Sequence, residues 1–353
     1  MKIAIVTDIH IGARGDARVF LDHQEKFFME FFFPYIDENG ITTVFDLGDT
    51  FDRRKYINYV SLKRGREFFF DQLAKRNIDF HVLVGNHDTY YTNTNDVNSM
   101  KLLLKEYPNF KIYESHAEEI QLGSTKFLML PWISKSNMEY NLNMVSNSNA
   151  HVIMGHLEVQ GFEMIKGSVC THGLDMDIFK NFESVYSGHF HHPSRYRNIE
   201  YLGAPYEMNW SDYGGSRGFH VFDTETREMK KFENPFKIFH KIDYDDEDMM
   251  IDDVANLDTD KYRDGFVKVV IKNRTNSLIY DMFMNRLSES GAADVMAVDD
   301  ALNLESAGVD DILDETKDTK EILHSYIDSL DTTVNKTKIK NVVDDLYLEA
   351  LSL

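Results

Sequence analysis

FHVLVGNHD, residues 80–88, is the stretch from which the architecture of this chain can be read. Phe80, Val82, Leu83 and Val84 make an apolar run suited to a buried strand, because bulky and β-branched side chains pack well on a pleated surface. The run stops at Gly85, and Asn86, His87 and Asp88 follow, all polar and all able to touch a metal or a phosphate. Open α/β sheets collect their ligands just beyond the carboxyl ends of strands, so position and chemistry agree. Taken alone, the four residues also fit a loop in which Asn and Asp bond their own backbone. The neighbouring segments separate these readings.

Toward the N-terminus, Lys2–Thr7 has the pattern of a strand and ends in Asp8-Ile9-His10. Residues two apart share a face of an extended segment, so Asp8 and His10 project together. A carboxylate beside an imidazole is a usual ligand pair for a first-row divalent metal. A second strand, Ile41–Leu47, delivers Gly48-Asp49-Thr50-Phe51-Asp52-Arg53-Arg54. Asp49 follows the strand directly, where it could sit between two metals or cap a helix. Asp52 and Arg53 come one turn later, within reach of a metal-bound phosphate; Arg53, Arg54 and Lys55 also fit a solvated basic face. Between the strands, Val19–Ile36 carries Phe at 20, 27, 28, 31, 32 and 33 and predicts a helix over the sheet that ends around Pro34. Asn39-Gly40 is a stop signal. Arg14-Gly15-Asp16 reads as a loop, and Tyr59–Arg76 as a second helix.

Toward the C-terminus, Asn98–Tyr107 predicts a helix and Lys126–Leu130 a strand before Pro131-Trp132. His151–Met154 runs into Gly155-His156, and Ser184–Ser187 into Gly188-His189-Phe190-His191. The strand ends thus read DxH, GDxxD, GNHD, GH and GHxH in order. Two divalent ions about 3.5–4 Å apart need a shared carboxylate and N and O ligands from several strand ends, and this pattern supplies both. Such a pair grips a phosphate ester and acidifies the attacking water. Asp, Asn and His suit manganese, iron or zinc; the absence of thiolates at these strand ends argues against a structural zinc.

Composition constrains partners and compartment. The 353 residues are 42% hydrophobic and 27% charged, enough for one large domain and one or two small ones. No apolar run reaches the roughly 18 residues that span a bilayer. MKIAIVTDIH reads as a first strand rather than a signal peptide. The single cysteine, Cys170, excludes an internal disulfide framework and fits a reducing, cytoplasmic setting. The net charge is −21, and residues 243–353 carry 27 of the 59 acidic and 11 of the 38 basic side chains. A chain this acidic lacks the basic footprint of an autonomous DNA binder. Any nucleic-acid contact must be local, metal-assisted or shared with a partner.

Through D8-x-H10, G48-D49-x-x-D52-R53, G85-N86-H87-D88, G155-H156 and G188-H189-x-H191 the chain resembles the calcineurin-like metallophosphoesterases. GDTFDRR, VGNHDTYY, LPW at 130–132, YSGHFHHPS, YLGAPYEMNW at 201–210 and RGFHVFDTET at 217–226 make it most similar to the SbcD-type DNA repair exonuclease subunits, nearest their T-even phage branch. The resemblance covers about residues 1–240. It implies an α/β, four-layer α-β-β-α sandwich with a small α+β capping domain and a C-terminal helical pair. It implies one metal, manganese by expectation, held by Asp8, His10, Asp49 and His191. A second would be held by Asp49, Asn86, His156 and His189. His87 would protonate the leaving oxygen or stabilise the transition state, with Asp88 orienting its ring. Some members have His where this chain has Asp52, so orienting a ligand or Arg53 suits Asp52 better than acid catalysis. The implied activity is duplex-end exonuclease and single-strand endonuclease. The implied partners are DNA and an SMC-like coiled-coil ATPase of the SbcC type, in a heterotetramer containing a homodimer, with no membrane.

The expected boundaries are 1–235 for the nuclease domain, 236–298 for the capping domain, 299–312 for an acidic linker and 313–353 for the helix pair. A hairpin around Thr224–Arg227 closes the first domain; Phe236–Tyr244, Phe266–Ile271 and Ala293–Val298 are strands and Leu278–Leu287 a helix of the second. The last two helices carry apolar stripes (Ile322, Leu323, Tyr326, Ile327, Leu330; then Ile339, Val342, Val343, Leu346, Ala350). They either fold back on the body or dock on the ATPase. No P-loop is present, so ATP use would belong to that partner. Two other functions fit parts of the pattern. One is a phosphoesterase acting on nucleotides, phosphoproteins or small diesters, although the protein phosphatases read GNHE. The other is a non-catalytic scaffold, which would have no use for so complete a ligand set.

Overall fold

The computed structural model describes residues 1–165 and 168–299, together with Ile327, Lys336, Lys340 and Val343, which have helical backbone. The expected linker beyond Asp299 and the remainder of the helix pair lie outside the described residues. The chain divides into one unit of Met1–Met208 with Gly214–Ile238, and a second made of Asn209–Tyr213 and the chain from Phe239 on.

In the first unit the strands are β1 (Lys2–Val6), β2 (Thr43–Asp46), β3 (Asp79–Leu83), β4 (Phe110–Tyr113), β5 (Glu118–Leu122), β6 (Thr125–Leu130), β7 (Val152–His156), β8 (Glu163–Ile165), β9 (Ser168–Val169), β10 (Ser184–Gly188), β11 (Ser194–Tyr196), β12 (Ile199–Tyr201), β13 (Gly218–Asp223) and β14 (Met229–Glu233). One sheet has the order β14-β13-β1-β2-β3-β4, the other β11-β12-β10-β7-β6-β5. In each, a run of parallel strands (β1 to β4; β6, β7, β10 and β12) is bordered by antiparallel partners.

The period-2 alternation of the strands builds the layers. Ile3 and Ile5 of β1 pack with Phe127 and Met129 of β6 and Val152 and Met154 of β7 in a core between the sheets. Ala4 and Val6 face the other way, into a cluster with Phe27, Phe28, Phe32, Phe68 and Phe69. Leu128, Leu130 and Ile153 turn outward on the second sheet, against Val145 and Phe179. The result is the four-layer α-β-β-α sandwich. Its aromatic layer is dense: Phe28 and Phe69 have ring centroids 4.5 Å apart. Truncating one of these buried rings to alanine costs about 3–5 kcal/mol.

The first helical run departs from expectation at Pro34. Arg18–Phe27 is followed by a π turn, Phe28–Phe32, and then by Phe33–Asn39. The π turn resets the register, so Pro34 falls in the first turn of the last segment, where its missing N–H is not needed. The run stops at Gly40, in the left-handed conformation at φ 59°. Tyr59–Lys75 is likewise split by a π turn at Arg66–Phe70.

The second unit holds β15 (Phe239–Asp245), β16 (Phe266–Asn273) and β17 (Asp294–Asp299), in that order and all parallel. Helix Ser277–Ser288 crosses from β16 to β17 and packs Ile279, Phe283 and Leu287 on Tyr244, Val267 and Val269. Among the described residues no helix is long and apolar enough to cross a membrane.

Candidate metal centre

Four strand ends of the two sheets present their polar residues to one place, and β2 adds the residue between them. The chain after β1 bonds the chain after β2: Asp8 N–H to Gly48 O at 2.9 Å and His10 N–H to Asp49 O at 3.0 Å. Asp8, His10, Asp49 and His189 all have positive φ, 53°, 48°, 54° and 91°. Non-glycine residues rarely adopt this conformation, which concentrates at sites where side chains must be aimed. Two glycines make the approach of the loops feasible. A methyl group on Gly85 would collide with the Asp49 carboxylate, and one on Gly188 with Thr7 Oγ1.

The side chains fall into two groups. Asp8, His10 and His191 form one, Asp49, His156 and His189 the other, each with ligand atoms within 4.8 Å of one another. In the first, His10 Nε2 and His191 Nε2 face each other at 3.1 Å, so at most one proton can lie between them. In the second, His156 Nδ1 donates to Leu47 O at 2.8 Å, which turns Nε2 toward Asn86 Oδ1 at 3.0 Å and Asp49 Oδ2 at 3.2 Å. Asp49 Oδ2 is also 3.9 Å from His10 Nε2, so one carboxylate oxygen looks into both groups. Its other oxygen accepts the His87 N–H at 2.8 Å.

Ring nitrogens, carboxylate oxygens and an amide oxygen converge here, and the histidine rings bring the protons that lie among them. A cation is what such a set fits, and the N and O donors suit manganese, iron or zinc. Protonation shows the same demand. Burial lowers the His10 pKa, but Asp52, Asp49 and Asp8 outweigh it and raise the value to about 9. Burial likewise opposes His156, and Asp49 with Asp8 raises it to about 9. Burial raises Asp49, yet the surrounding histidines hold it well below the usual carboxylate range. A bound ion would displace the protons that otherwise supply this positive charge.

The structure redistributes the supporting roles. Asp52 Oδ1 lies 3.3 Å from His10 Nδ1, near enough to pair in charge with a ligating ring but not aligned as a hydrogen bond. Arg53 turns away to Asp16 at 3.2 Å and to Tyr56. Asp88 does not orient the His87 ring as expected; the Asp52 carbonyl does, 2.6 Å from Nδ1. The Asp88 carboxylate instead accepts the N–H groups of Asp49, Phe51 and Gly85 at 2.9, 3.2 and 3.0 Å, clasping the GNHD loop to the GDTFD loop. An acidic side chain is the natural sink for so many backbone donors, and this demand outcompetes His87.

Sequence reasoning missed four residues that hold the loops. Arg54, expected on a solvated face, donates Nε–H to Asn86 O at 2.7 Å. Gln24 Nε2 donates to Ile9 O and His10 O at 3.0 and 2.9 Å, and the Tyr206 hydroxyl donates to Ile9 O. Buried Arg217 donates to His191 O. Gln24 did leave a signal: a long polar residue on the apolar stripe of a Phe-rich helix.

Fold and site together define a metal-dependent phosphoesterase, and the chain belongs to the calcineurin-like phosphoesterase family, whose model matches residues 1–193. Among individual proteins it is similar to Exonuclease subunit 1 of Enterobacteria phage T4, 31% identical over 344 residues that span 94% of this chain and 98% of that one. It is also similar to the SbcD component of the nuclease SbcCD from Staphylococcus epidermidis, 22% identical over 267 residues, 65% of this chain and 67% of that one. A solved structure described as a novel archaeal phosphodiesterase aligns with 66% of this chain and all of its own at 15% identity and a TM-score of 0.34, too loose a likeness to carry argument.

Proposed function

We propose that this chain is the metal-dependent DNA nuclease subunit of a recombination or repair complex, an exonuclease on duplex ends and an endonuclease on single strands. The observation that carries the reading is Asp49, whose Oδ2 faces His10 of one group and His156 of the other. Its relatives, named as nuclease subunits, support DNA as the substrate. Asp8, His10, Asp49 and His191 would hold one ion, and Asp49, Asn86, His156 and His189 the other. When bound, the ions supply Lewis-acid polarisation of the phosphoryl group and a water acidic enough to attack phosphorus. His87 donates Nδ1–H to the Asp52 carbonyl, which leaves Nε2 to face the leaving oxygen; in the imidazolium form that nitrogen would carry the proton delivered there. Asp52 pairs in charge with the ligating His10 ring. Residues 313–353 dock on the coiled coil of an SMC-like ATPase.

The deciding experiment is manganese-dependent cleavage of duplex and single-stranded DNA by the full chain, with and without that ATPase, beside Asn86→Ala and a deletion of 312–353. Cleavage that needs manganese and Asn86 is expected. The deletion should keep hydrolysis of a chromogenic diester and lose the ATPase in a pull-down. Diester hydrolysis with no DNA cleavage under any condition would replace this reading with a small-diester esterase.

A further inference from the structure

Glu158, Cys170 and His172 form a third convergence of ligand atoms, all within 4.8 Å of one another. They belong to a hairpin arm leaving β7. The outgoing limb runs from Glu158, the return limb through Cys170 to Leu174, and β8 pairs with β9 near the tip. Backbone bonds join the limbs: Leu174 N–H to Glu158 O at 2.8 Å, Gln160 N–H to Leu174 O at 3.0 Å and Cys170 N–H to Phe162 O at 2.7 Å. Glu158 therefore stands on one limb and both Cys170 and His172 on the other.

The distances have the scale of a coordination sphere. Bonds to zinc of about 2.3 Å for sulfur and about 2.0–2.2 Å for nitrogen and oxygen give tetrahedral edges of about 3.3–3.7 Å. Here Glu158 Oε1 is 2.9 Å from His172 Nε2 and 3.9 Å from Cys170 Sγ. If the group were only an ion pair it would contribute little, because the His172 side chain is 68% exposed. The buried Cys170 thiol points its proton at the His172 carbonyl, 2.7 Å away, which leaves the sulfur beside both the carboxylate and the imidazole.

We infer that Glu158, Cys170 and His172 bind one borderline-soft divalent cation of the zinc class, fastening the two limbs of this arm independently of the phosphoesterase centre. The Cys170 thiol loses its proton to solvent as the sulfur–metal bond forms, and water fills the fourth position. A thiolate selects zinc or cobalt over manganese, so this site and the N,O-lined centre sort ions differently. The arm also has a place to act. Glu158, Gly173 and Leu174 wall a cavity of about 390 Å³ that reaches Trp132 and His156.

The test is an anaerobic titration of the metal-free full chain with Co²⁺. The chain has one cysteine, so a near-ultraviolet thiolate-to-cobalt charge-transfer band reports this site alone. The band should saturate at one ion per chain, disappear in Cys170→Ser, and be displaced by Zn²⁺ but not by Mn²⁺. His172→Ala, a change at an exposed side chain that leaves the fold intact, should weaken cobalt binding at this site roughly tenfold or more. No band at cobalt saturation, or a band that His172→Ala leaves unmoved, overturns the assignment.

Discussion

In both units a parallel strand runs into a buried aspartate, yet among the described residues only the aspartate of the first unit, Asp49, gathers other ligand atoms around it. In the second unit Asp246 follows β15, and its oxygens accept from Thr275 N–H at 2.6 Å, Thr275 Oγ1 at 2.9 Å, Asn276 N–H at 3.0 Å and the Tyr244 hydroxyl at 2.9 Å. Every lone pair that points inward meets a proton, and the loop before helix Ser277–Ser288 is fixed. In the first unit Asp49 Oδ2 meets His156 Nε2 and His10 Nε2, atoms that take a metal as readily as a proton. A carboxylate filled by main-chain and hydroxyl donors shapes backbone; one faced by ring nitrogens whose protons a metal can replace suits a cation. Strand-end position alone distinguishes nothing.

The largest expected effect breaks or confirms that contrast. Asp49→Ala should lower metal-dependent phosphodiester hydrolysis roughly a thousandfold or more and reduce bound manganese from two ions per chain. Asp246→Ala should leave both quantities unchanged and lower only the melting temperature. Equal losses of activity would mean that donor satisfaction does not separate the two acids. Next in size is His87→Ala. It should cut kcat by roughly 10²–10⁴ while manganese stoichiometry holds, because His87 lies outside both ligand groups. Parallel loss of metal and activity would make His87 a structural member of the centre.

How much of this the sequence discloses follows from the range of each interaction. The strands and their ligand-bearing ends are legible because each is set by a local run and its terminal residues: FHVLV before GNHD, VYS before GHFH. The four-layer sandwich is legible only through the family resemblance that these strand ends carry. The grip on the loops is not, because Gln24, Tyr206 and Arg217 bond main-chain carbonyls, which carry no sequence signature. Nor is Asp88's role, since a carboxylate after GNH can serve a ring or a backbone equally well, and only the fold decides which. The π turns at Phe28–Phe32 and Arg66–Phe70 hide for the same reason: aromatic density says buried, not how the helix is wound.

Acid titration sharpens the comparison further, because each unit contains one tryptophan, Trp132 and Trp210. Burial, then Lys231, depresses His220 in β13 to about 3. Its neutral form is required by the fold, so its contribution is complete above about pH 6.5 and lost as pH falls toward 3. Asp246 is opposed by burial but lowered by its donors to about 2, so its contribution survives down to about pH 4 and is lost only below. Asp8, Asp46 and Asp88 are raised by burial and shift the first unit the other way, so each group is read against its own variant. Wild type should lose stability relative to His220→Gln by about 1.4 kcal/mol per pH unit between about 6.5 and 3, followed by Trp132 fluorescence in a Trp210→Phe background. Relative to Asp246→Asn, followed by Trp210 fluorescence in a Trp132→Phe background, no loss should begin until about pH 4. The opposite order would show that the histidine is not held neutral.

The smallest effect concerns the loops rather than the ligands. The Tyr206 hydroxyl donates to Ile9 O at 2.5 Å, and Gln24 Nε2 reaches the same oxygen at 3.0 Å. Ile9 lies between Asp8 and His10, both strained at positive φ, so these bonds hold the turn that aims the first ligand pair. Tyr206→Phe removes one of the two donors and no ligand. It should cost about 1 kcal/mol, about fivefold in manganese affinity at the Asp8–His10–His191 group, and leave the Asp49–His156–His189 group untouched. Electron paramagnetic resonance of a manganese titration resolves this, because losing the weaker ion first converts a coupled pair into a single-ion spectrum. If both ions weaken together, the centre behaves as one unit held by Asp49, and the distinction between aiming a ligand and supplying one has no energetic content at this turn.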